Sequence, residues 1–316
     1  MSGRTNRWAL VLGGGDGTRL SALTRRGGVA VPKQFCLFNG GPSLMELAVR
    51  RAARVVSPGR ILAVVNARHR PWWESDLEPL PAANVVVQPE NRGTATGLLL
   101  PLAVLRARDP QARVAILPSD HYVGDERALA AELRHAFRAV NGEPDTITLL
   151  GIEPDGPDTG YGWIVAGTPA GGPSPVEAFV EKPDEATARM LFERGAVWNS
   201  FLLVARVETL WGLYERKLPD LVERLRSVLD PTGEPLPSRL DELYAELPAR
   251  DFSREILQGS ERSLRLVTVP RCGWNDLGTP ERLAACIERL PLRPPVVASR
   301  RLPAARVDLV WALAGM

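Results

Sequence analysis

The sequence is poor in the residues that build disulfide scaffolds and soft metal centres. Its three cysteines, Cys36, Cys272 and Cys286, are too few and too scattered for a disulfide framework or a paired-cysteine metal site. Its three histidines are not arranged as a metal triad or as partners of a nucleophile. Unpaired thiols fit a reducing compartment, so we expect a cytoplasmic protein.

The chain also lacks a strong charge of one sign and a long apolar run. The formal net charge is +2 over 316 residues, which gives no global field to attract nucleic acid or an anionic membrane. The apolar stretch from Val307 to Met316 contains Asp308 and is about half as long as a membrane span. We therefore expect neither nucleic acid nor membrane as a partner, and any phosphate binding must be local.

The sequence does contain the alternating strand and helix segments that are typical of an α/β protein. Hydrophobic residues make up 45% and charged residues 24%, as in ordinary globular domains. Short Val/Ile/Leu runs alternate with helical segments, which predicts an α/β fold with a mixed, mostly parallel sheet flanked by helices. We assign residues 1–290 to one domain and residues 291–316 to a short C-terminal extension. Such sheets bind ligands at the carboxyl ends of their strands.

A glycine-rich loop follows the first predicted strand, over Leu12–Leu20. It is not a Walker loop, because Gly14 is followed five residues later by Arg19 and no Lys-Ser or Lys-Thr pair is present. It also departs from the dinucleotide fingerprint, which needs glycine where Thr18 stands. Glycines that allow an anion to approach backbone amides, with Arg19 and Lys33 as cations, indicate a triphosphate loop. A simple tight turn is the alternative.

Two carboxylates stand where hard oxygen ligands for Mg²⁺ are needed. Asp120 follows the apolar run Val114–Leu117, and Asp276 lies beside Gly278 just before a predicted helix. Each could instead cap a helix or close a turn.

Further polar residues lie beside small ones. Asn91 and Thr94 open a predicted helix whose small residues would let a base lie against the backbone, although Thr94 could equally be the N-cap. Glu181 and Asn199 could bind sugar hydroxyls and Lys182 a sugar phosphate, with turn chemistry or a surface ion pair as the alternative.

Eight segments occur in a fixed order along most of the chain: GGGDGTRL, PKQF, PENRGTA, LPSDHY, TGYGWI, FVEKP, WNS and GWNDLG. Together they resemble the sugar-1-phosphate nucleotidylyltransferases, most closely the mannose-1-phosphate guanylyltransferase branch. The resemblance implies a Rossmann-like nucleotidyltransferase fold. It also implies Mg²⁺-dependent transfer of GMP from GTP to mannose 1-phosphate, which yields GDP-mannose and pyrophosphate.

The same resemblance implies a role for each matching residue. Arg19 and Lys33 would contact the triphosphate, and Asp120 and Asp276 would hold Mg²⁺. The nucleotide would lie against Leu12, Gly13, Gly14, Gly15, Gly17, Thr18, Asn91, Thr94, Ala95 and Ser119. The sugar phosphate would meet Tyr161, Gly162, Glu181, Lys182 and Asn199. A homodimer is one assembly compatible with the sequence.

The chain departs from the family pattern in several places. Ser21-Ala22 replaces Trp-Pro, and the loop through Gly27 is longer than usual, so we expect Lys33 to need loop closure to reach the phosphates. Phe201 stands where glycine follows Asn-Ser, and residues 248–253 match only loosely. We expect no C-terminal isomerase domain. The alternatives are a nucleotidylyltransferase for another hexose 1-phosphate or base, and a non-catalytic regulatory subunit that binds nucleotide sugars.

Overall fold

The computed structural model describes residues 6–26, 28–169, 171–290 and 306–314. Gly27 and most of the segment that precedes Arg306 lie outside the described residues. The strands are β1 Arg7–Gly13, β2 Arg25–Arg26, β3 Val29–Ala30, β4 Ile61–Asn66, β5 Val85–Gln88, β6 Arg113–Pro118, β7 Ile147–Ile152, β8 Gly162–Ala166, β9 Ser174–Glu181, β10 Val197–Arg206 and β11 Leu264–Val269. The helices are α1 Leu44–Ala53, α2 Arg70–Asp76, α3 Gly93–Arg108, α4 Glu126–Gly142, α5 Glu185–Glu193, α6 Val207–Lys217, α7 Pro219–Arg226, α8 Pro237–Glu246, α9 Pro280–Glu288 and α10 Leu309–Ala314.

One nine-stranded sheet organises the fold, in the order β5-β4-β1-β6-β10-β7-β11-β9-β8. Strands β5, β4, β1 and β6 pair in parallel, as do β7 and β11. The five pairings made by β9 and β10 are antiparallel. The predicted mixed sheet is therefore correct, but "mostly parallel" describes only its first half. The late strand β10 inserts between β6 and β7 and reverses the direction there.

Alternating side chains divide the core between the two faces of the sheet. In β1, Ala9 and Val11 pack with α1, α2 and α4, while Trp8 and Leu10 face the side covered by α3, α6 and α8. Strands buried on both faces read as continuous apolar runs, which is why their positions could be predicted. The carboxyl ends of β1, β4, β5, β6, β7 and β11 meet along one edge of the sheet.

The last described segment packs on the body of the protein. Leu37 donates its backbone N–H to Val307, and Leu309 donates its own to Leu37. Arg306 and Asp76 form an ion pair at 2.6 Å in which both side chains are 3% exposed. This segment therefore contacts the chain just after Lys33. No helix among the described residues is long and apolar enough to cross a membrane.

Candidate functional site

Two neighbouring cavities open at the carboxyl edge of the sheet, and Asn91 lines both. The first, of about 320 Å³, is lined by Asp16, Gly17, Thr18, Arg19, Leu20, Lys33, Asn91, Asp120, His121, Asp276 and Gly278. The second, of about 340 Å³, is lined by Leu12, Gly14, Gly15, Val64, Gln88, Asn91, Gly93, Thr94, Gly97, Ala249, Arg250 and Asp251. The first is rich in charges and the second in small residues. We call them the charged cavity and the base cavity.

The glycine loop between them is held by side-chain amides. Gln34, which is 3% exposed, donates to the carbonyls of Gly13 at 3.0 Å and Gly15 at 2.7 Å. At Gly17 the φ angle is 62°, and a Cβ there would lie 2.7 Å from the backbone nitrogen of Lys33. Glycine is required at Gly17 because the backbone is left-handed and crowded. The glycine loop and the segment that carries Lys33 are therefore packed directly together.

Cations and carboxylates face each other in the charged cavity. Lys33, whose side chain is 7% exposed, lies 2.8 Å from Asp120 and donates to the carbonyl of Asp276 at 2.5 Å. It lines the cavity, and the expectation that Lys33 needs loop closure to reach the phosphates stays a prediction. Arg19 is exposed on the same cavity, and no hydrogen bond or ion pair to it occurs within the described ranges. Arg19 is thus a cation available to a ligand.

The electrostatic surroundings of Asp120 keep it ionised. Burial acts to raise its pKa, but the nearby Lys33 ammonium outweighs this and the pKa falls below its usual range. The neighbouring His121 is neutral, because burial lowers its pKa to about 4. Asp120 still exposes 38% of its side chain to the cavity and can offer oxygen ligands there.

Asp276 is held more firmly than Asp120. Its Oδ1 accepts from the Tyr161 hydroxyl at 2.8 Å and from the Gly278 N–H at 3.0 Å. Its Oδ2 accepts from Arg282 at 2.9 Å. Burial first, and then the Asp276 charge, raise the pKa of Tyr161, so the phenol remains a donor. Tyr161, predicted to meet the sugar phosphate, donates its hydroxyl hydrogen to Asp276, and its role toward a ligand stays a prediction.

The donor set of the charged cavity fits Mg²⁺. Within the described parts of the chain no cluster of three or more His, Cys, Asp and Glu residues could hold a metal. Mg²⁺ does not need one, because it commonly takes one or two carboxylates and completes its shell with water and phosphate oxygens. Asp120 and Asp276 on one cavity supply such a pair.

The base cavity lies where β5 meets α3. Asn91 accepts from the Gly93 N–H and donates to Asp16, both at 3.0 Å. Thr94 does not cap α3, because Arg92 precedes the helix there and the Thr94 hydroxyl accepts from the Phe252 N–H. A Cβ on Gly93 would lie 2.2 Å from the Arg250 carbonyl, so residues 249–251 form the opposite wall.

Three predicted nucleotide residues, Gly13, Ala95 and Ser119, line neither cavity. Ser119 is 1% exposed and its hydroxyl donates to the Leu12 carbonyl at 2.6 Å. Ala95 is fully buried between Arg250 and Tyr214. Ser119 and Ala95 lie beneath the loops that line the cavities and support those loops. Gly13 likewise presents its carbonyl to Gln34.

A third group of polar residues meets where β8, β9 and β10 pair. A Cβ on Gly162 would lie 2.5 Å from Glu181 Oε2 and 3.3 Å from Asn199 Cβ, so the three predicted sugar residues are neighbours. Glu181 is 3.2 Å from Lys182, yet burial raises its pKa above the ordinary range. Its Oε2 has no hydrogen-bond partner within the described structure. This unpaired buried acceptor is suited to a hydroxyl-bearing ligand.

Left-handed backbone occurs at or close to predicted site residues. Of the four described non-glycine residues with positive φ, Lys182 (47°) is itself a predicted site residue, Phe201 (61°) follows Asn199 by two positions, and Leu277 (49°) follows Asp276 directly. Left-handed backbone costs an L-residue energy, and natural proteins retain it mostly at functional positions. Phe201 has the conformation that the expected glycine would adopt freely.

Sequence reasoning missed several contributors to the site. Gln34 lies within the PKQF segment, but the hydrogen bonds that its side-chain amide donates to the glycine loop could not be predicted from the sequence. Gln88 ends β5 and donates to the Gly14 carbonyl at 3.3 Å, which leaves its buried Oε1 without a partner. Arg282 lies in the first turn of a helix and carries no motif signal. Asp251 and Arg250 lie in the segment that matched the family only loosely.

Comparison with known proteins identifies the family of the chain. The nucleotidyl transferase family model matches residues 8–291. The xanthan biosynthesis protein XanB of Xanthomonas campestris pv. campestris is 31% identical over 277 residues, which are 85% of this chain and 57% of that protein. The mannose-1-phosphate guanylyltransferase of Escherichia coli K12 is 29% identical over 287 residues, 86% of this chain and 58% of that protein. The chain thus spans a little over half the length of these curated relatives.

Solved structures confirm the fold. A crystal structure described as mannose-1-phosphate geranyltransferase from Thermus thermophilus has a TM-score of 0.77 and 30% identity, covering 90% of this chain and 80% of that one. A putative glucose-1-phosphate thymidylyltransferase from Bacillus anthracis, 15% identical with a TM-score of 0.55 over 94% of this chain and 98% of its own, shares the fold alone. The predicted resemblance and the nucleotidyltransferase-like α/β fold are both confirmed.

Proposed function

Because the chain belongs to the nucleotidyl transferase family, we propose that it transfers GMP from GTP to mannose 1-phosphate and releases pyrophosphate. One observation carries the proposal: Arg19, Lys33, Asp120 and Asp276 line a single cavity that shares Asn91 with a cavity lined by small residues. Cations and metal-type carboxylates beside a base-sized recess are what a nucleoside triphosphate requires.

The chemistry needs little from the protein beyond charge and alignment. A sugar phosphate is already an anion at neutral pH, so its oxygen can attack the α-phosphorus in line without a general base. The bond from the α-phosphorus to the bridging oxygen breaks, and pyrophosphate leaves with that electron pair. Arg19 and Lys33 would neutralise the leaving group, and Asp120 and Asp276 would hold Mg²⁺. When bound, this ion supplies further neutralisation of phosphate charge.

The lining of the base cavity favours guanine over adenine. Gln88 Oε1 is a buried acceptor without a partner among the described residues, and Asp251 adds a carboxylate to the opposite wall. Guanine presents adjacent N–H donors at N1 and N2, whereas adenine presents one donor, at N6, beside an acceptor at N1, so two neighbouring acceptors suit guanine better. An acceptor-rich wall therefore supports GTP as the nucleotide.

The group around Glu181 supports a sugar ligand. Glu181 and Asn199 adjoin Gly162, and both side chains can bind vicinal hydroxyls. Lys182, 39% exposed beside Glu181, would pair with the sugar phosphate. The names of the guanylyltransferase relatives favour mannose 1-phosphate as the acceptor.

Pyrophosphate release, assayed with each NTP against several hexose 1-phosphates, tests the proposal. We expect GTP with mannose 1-phosphate to be the best pair and chelation of Mg²⁺ to abolish turnover. Lys33→Ala should reduce kcat roughly 10²-fold, as expected for the loss of a preorganised charge contact. Arg189→Met, which removes an exposed charge of α5, is the matched control and should retain normal turnover.

Three outcomes would redirect the assignment. A preference for ATP or dTTP, or for another hexose, would favour a different nucleotidylyltransferase. Binding of a nucleotide sugar without turnover of any pair would favour a regulatory subunit. Near-normal kcat in Lys33→Ala would contradict the role given to the ammonium.

A further inference from the structure

Arg282, in the first turn of α9, is a buried cation to which the proposed chemistry assigns no role. Its side chain is 14% exposed and its guanidinium donates to Asp276 Oδ2 at 2.9 Å and to Asp158 Oδ1 at 2.6 Å. The guanidinium carbon lies 3.8 Å from the centre of the Tyr161 ring. Arg282 is thus fixed on three sides.

The guanidinium occupies the oxygen of Asp276 that a metal would use. Oδ1 already accepts two hydrogen bonds, from Tyr161 and Gly278, whereas the described hydrogen bonds give Oδ2 a single donor, Arg282. Asp276 is 16% exposed, so little room is left for another approach to Oδ2. A cation that binds this carboxylate must share or displace the Arg282 contact.

The other carboxylate of the charged cavity is compensated in the same manner. Lys33 lies 2.8 Å from Asp120 Oδ2. Each predicted metal ligand is therefore already paired with a positively charged side chain. Asp120 pairs with Lys33 from the loop after β3, and Asp276 pairs with Arg282 from α9. A divalent ion that arrives alone meets two fixed positive charges, whose repulsion opposes its binding to the carboxylates.

We propose that Arg282 is a placeholder counter-ion, which neutralises Asp276 while no metal is bound and competes with a divalent cation for that carboxylate. This inference rests on the metal role of Asp276 in the proposed function. It implies that a free divalent ion binds weakly and that a metal–nucleotide complex binds well. The difference arises because triphosphate oxygens give Lys33 a new partner when it leaves Asp120.

Arg282 keeps two other contacts when Asp276 binds a metal. Asp158 Oδ1 and the Tyr161 ring hold the guanidinium independently of Asp276. Arg282 is accordingly a positioning residue, not a catalytic one.

The test is a direct titration with Mn²⁺, which substitutes for Mg²⁺ and whose free form is counted by electron paramagnetic resonance. Without nucleotide, we expect Arg282→Gln to bind Mn²⁺ about tenfold more tightly than the wild type. Arg282→Lys keeps the charge and should stay within twofold of the wild type, and it remains informative if Arg282→Gln folds poorly. Arg289→Met is the control, because Arg289 directly follows the same helix but is 74% exposed and pairs with Asp155.

A second readout is the melting temperature of the metal-free protein. Arg282→Gln leaves Asp276 and Asp158 without a counter-charge, so it should melt lower than the wild type and gain more from added Mn²⁺. Unchanged or weaker Mn²⁺ binding by Arg282→Gln would overturn the inference, since it would mean that Arg282 only orients the carboxylate. Titration with Mn²⁺ in the presence of GTP distinguishes failure of this inference from failure of the proposed function. Wild-type protein that binds no Mn²⁺ even with GTP would contradict the metal site itself.

Discussion

The left-handed backbone at Phe201 gives a quantitative prediction. The φ angle of 61° costs an L-residue about 1–2 kcal/mol, and glycine avoids this cost. Glycine in turn loses about 0.5–1 kcal/mol more conformational entropy on folding than alanine does. The difference leaves Phe201→Gly more stable than Phe201→Ala by about 0–1.5 kcal/mol, with about 0.75 kcal/mol as the central expectation. The wild type is further stabilised by the Phe201 ring, whose centroid is 5.6 Å from that of Phe252.

The assay is the comparison of urea midpoints for Phe201→Ala and Phe201→Gly. Both variants lose the ring, so the difference between them reports the backbone alone. Thr268, an exposed residue of β11 in regular register with β7, is the control position. There the order should reverse, and the alanine variant should be the more stable. If alanine at position 201 were as stable as glycine, the strain assigned to this bulge of β10 would be refuted.

Three further predictions follow from burial and close contacts. Glu181→Gln should raise the melting temperature at neutral pH by removing a buried charge. Because burial raises the pKa of Glu181 in the folded protein, this gain should fade as the pH falls through that raised pKa and should be gone below the ordinary glutamate pKa, and a gain that grows with acidity would contradict it. Gly93→Ala would bring a Cβ within 2.2 Å of the Arg250 carbonyl, so KM for GTP should rise about tenfold while KM for the sugar phosphate changes little. Arg306→Met should lower the free energy of unfolding by about 3–5 kcal/mol, because Asp76 would remain buried and unpaired, and adding Asp76→Asn should recover most of the loss in urea titrations.

The strands were predictable where the chain is buried on both faces. The apolar runs Val85–Gln88, Ile147–Ile152 and Leu264–Val269 predict β5, β7 and β11 with their observed boundaries. The run Leu202–Ala205 predicts only the second half of β10, since Asn199 and Ser200 are polar and the register shifts between Asn199 and Leu202. The antiparallel direction of β10 could not be predicted either, because a periodic pattern carries no information about which strands become neighbours.

The site was predictable to the extent that it lies at strand ends. Asp120 and Lys33 meet because their segments leave adjacent parts of one sheet edge. The roles of Gln34, Gln88 and Arg282 depend on contacts made in the folded chain, which no local spacing encodes. Ser119 and Ala95 fall within matching motifs yet support the cavities from behind, because motif membership does not fix the direction of a side chain.

The docking of Arg306 on Asp76 has a consequence for how the protein is made. Asp76 is synthesised 230 residues before its partner, and synthesis at about 5–20 residues per second separates the two by roughly 10–50 seconds. During that interval the α2 helix end carries an uncompensated carboxylate that the finished protein buries. The segment after β3 then also lacks the pairing of Leu37 with Val307. We therefore expect a ribosome-bound nascent chain to remain sensitive to protease around Phe35 and Asp76 until residues 306–310 have emerged.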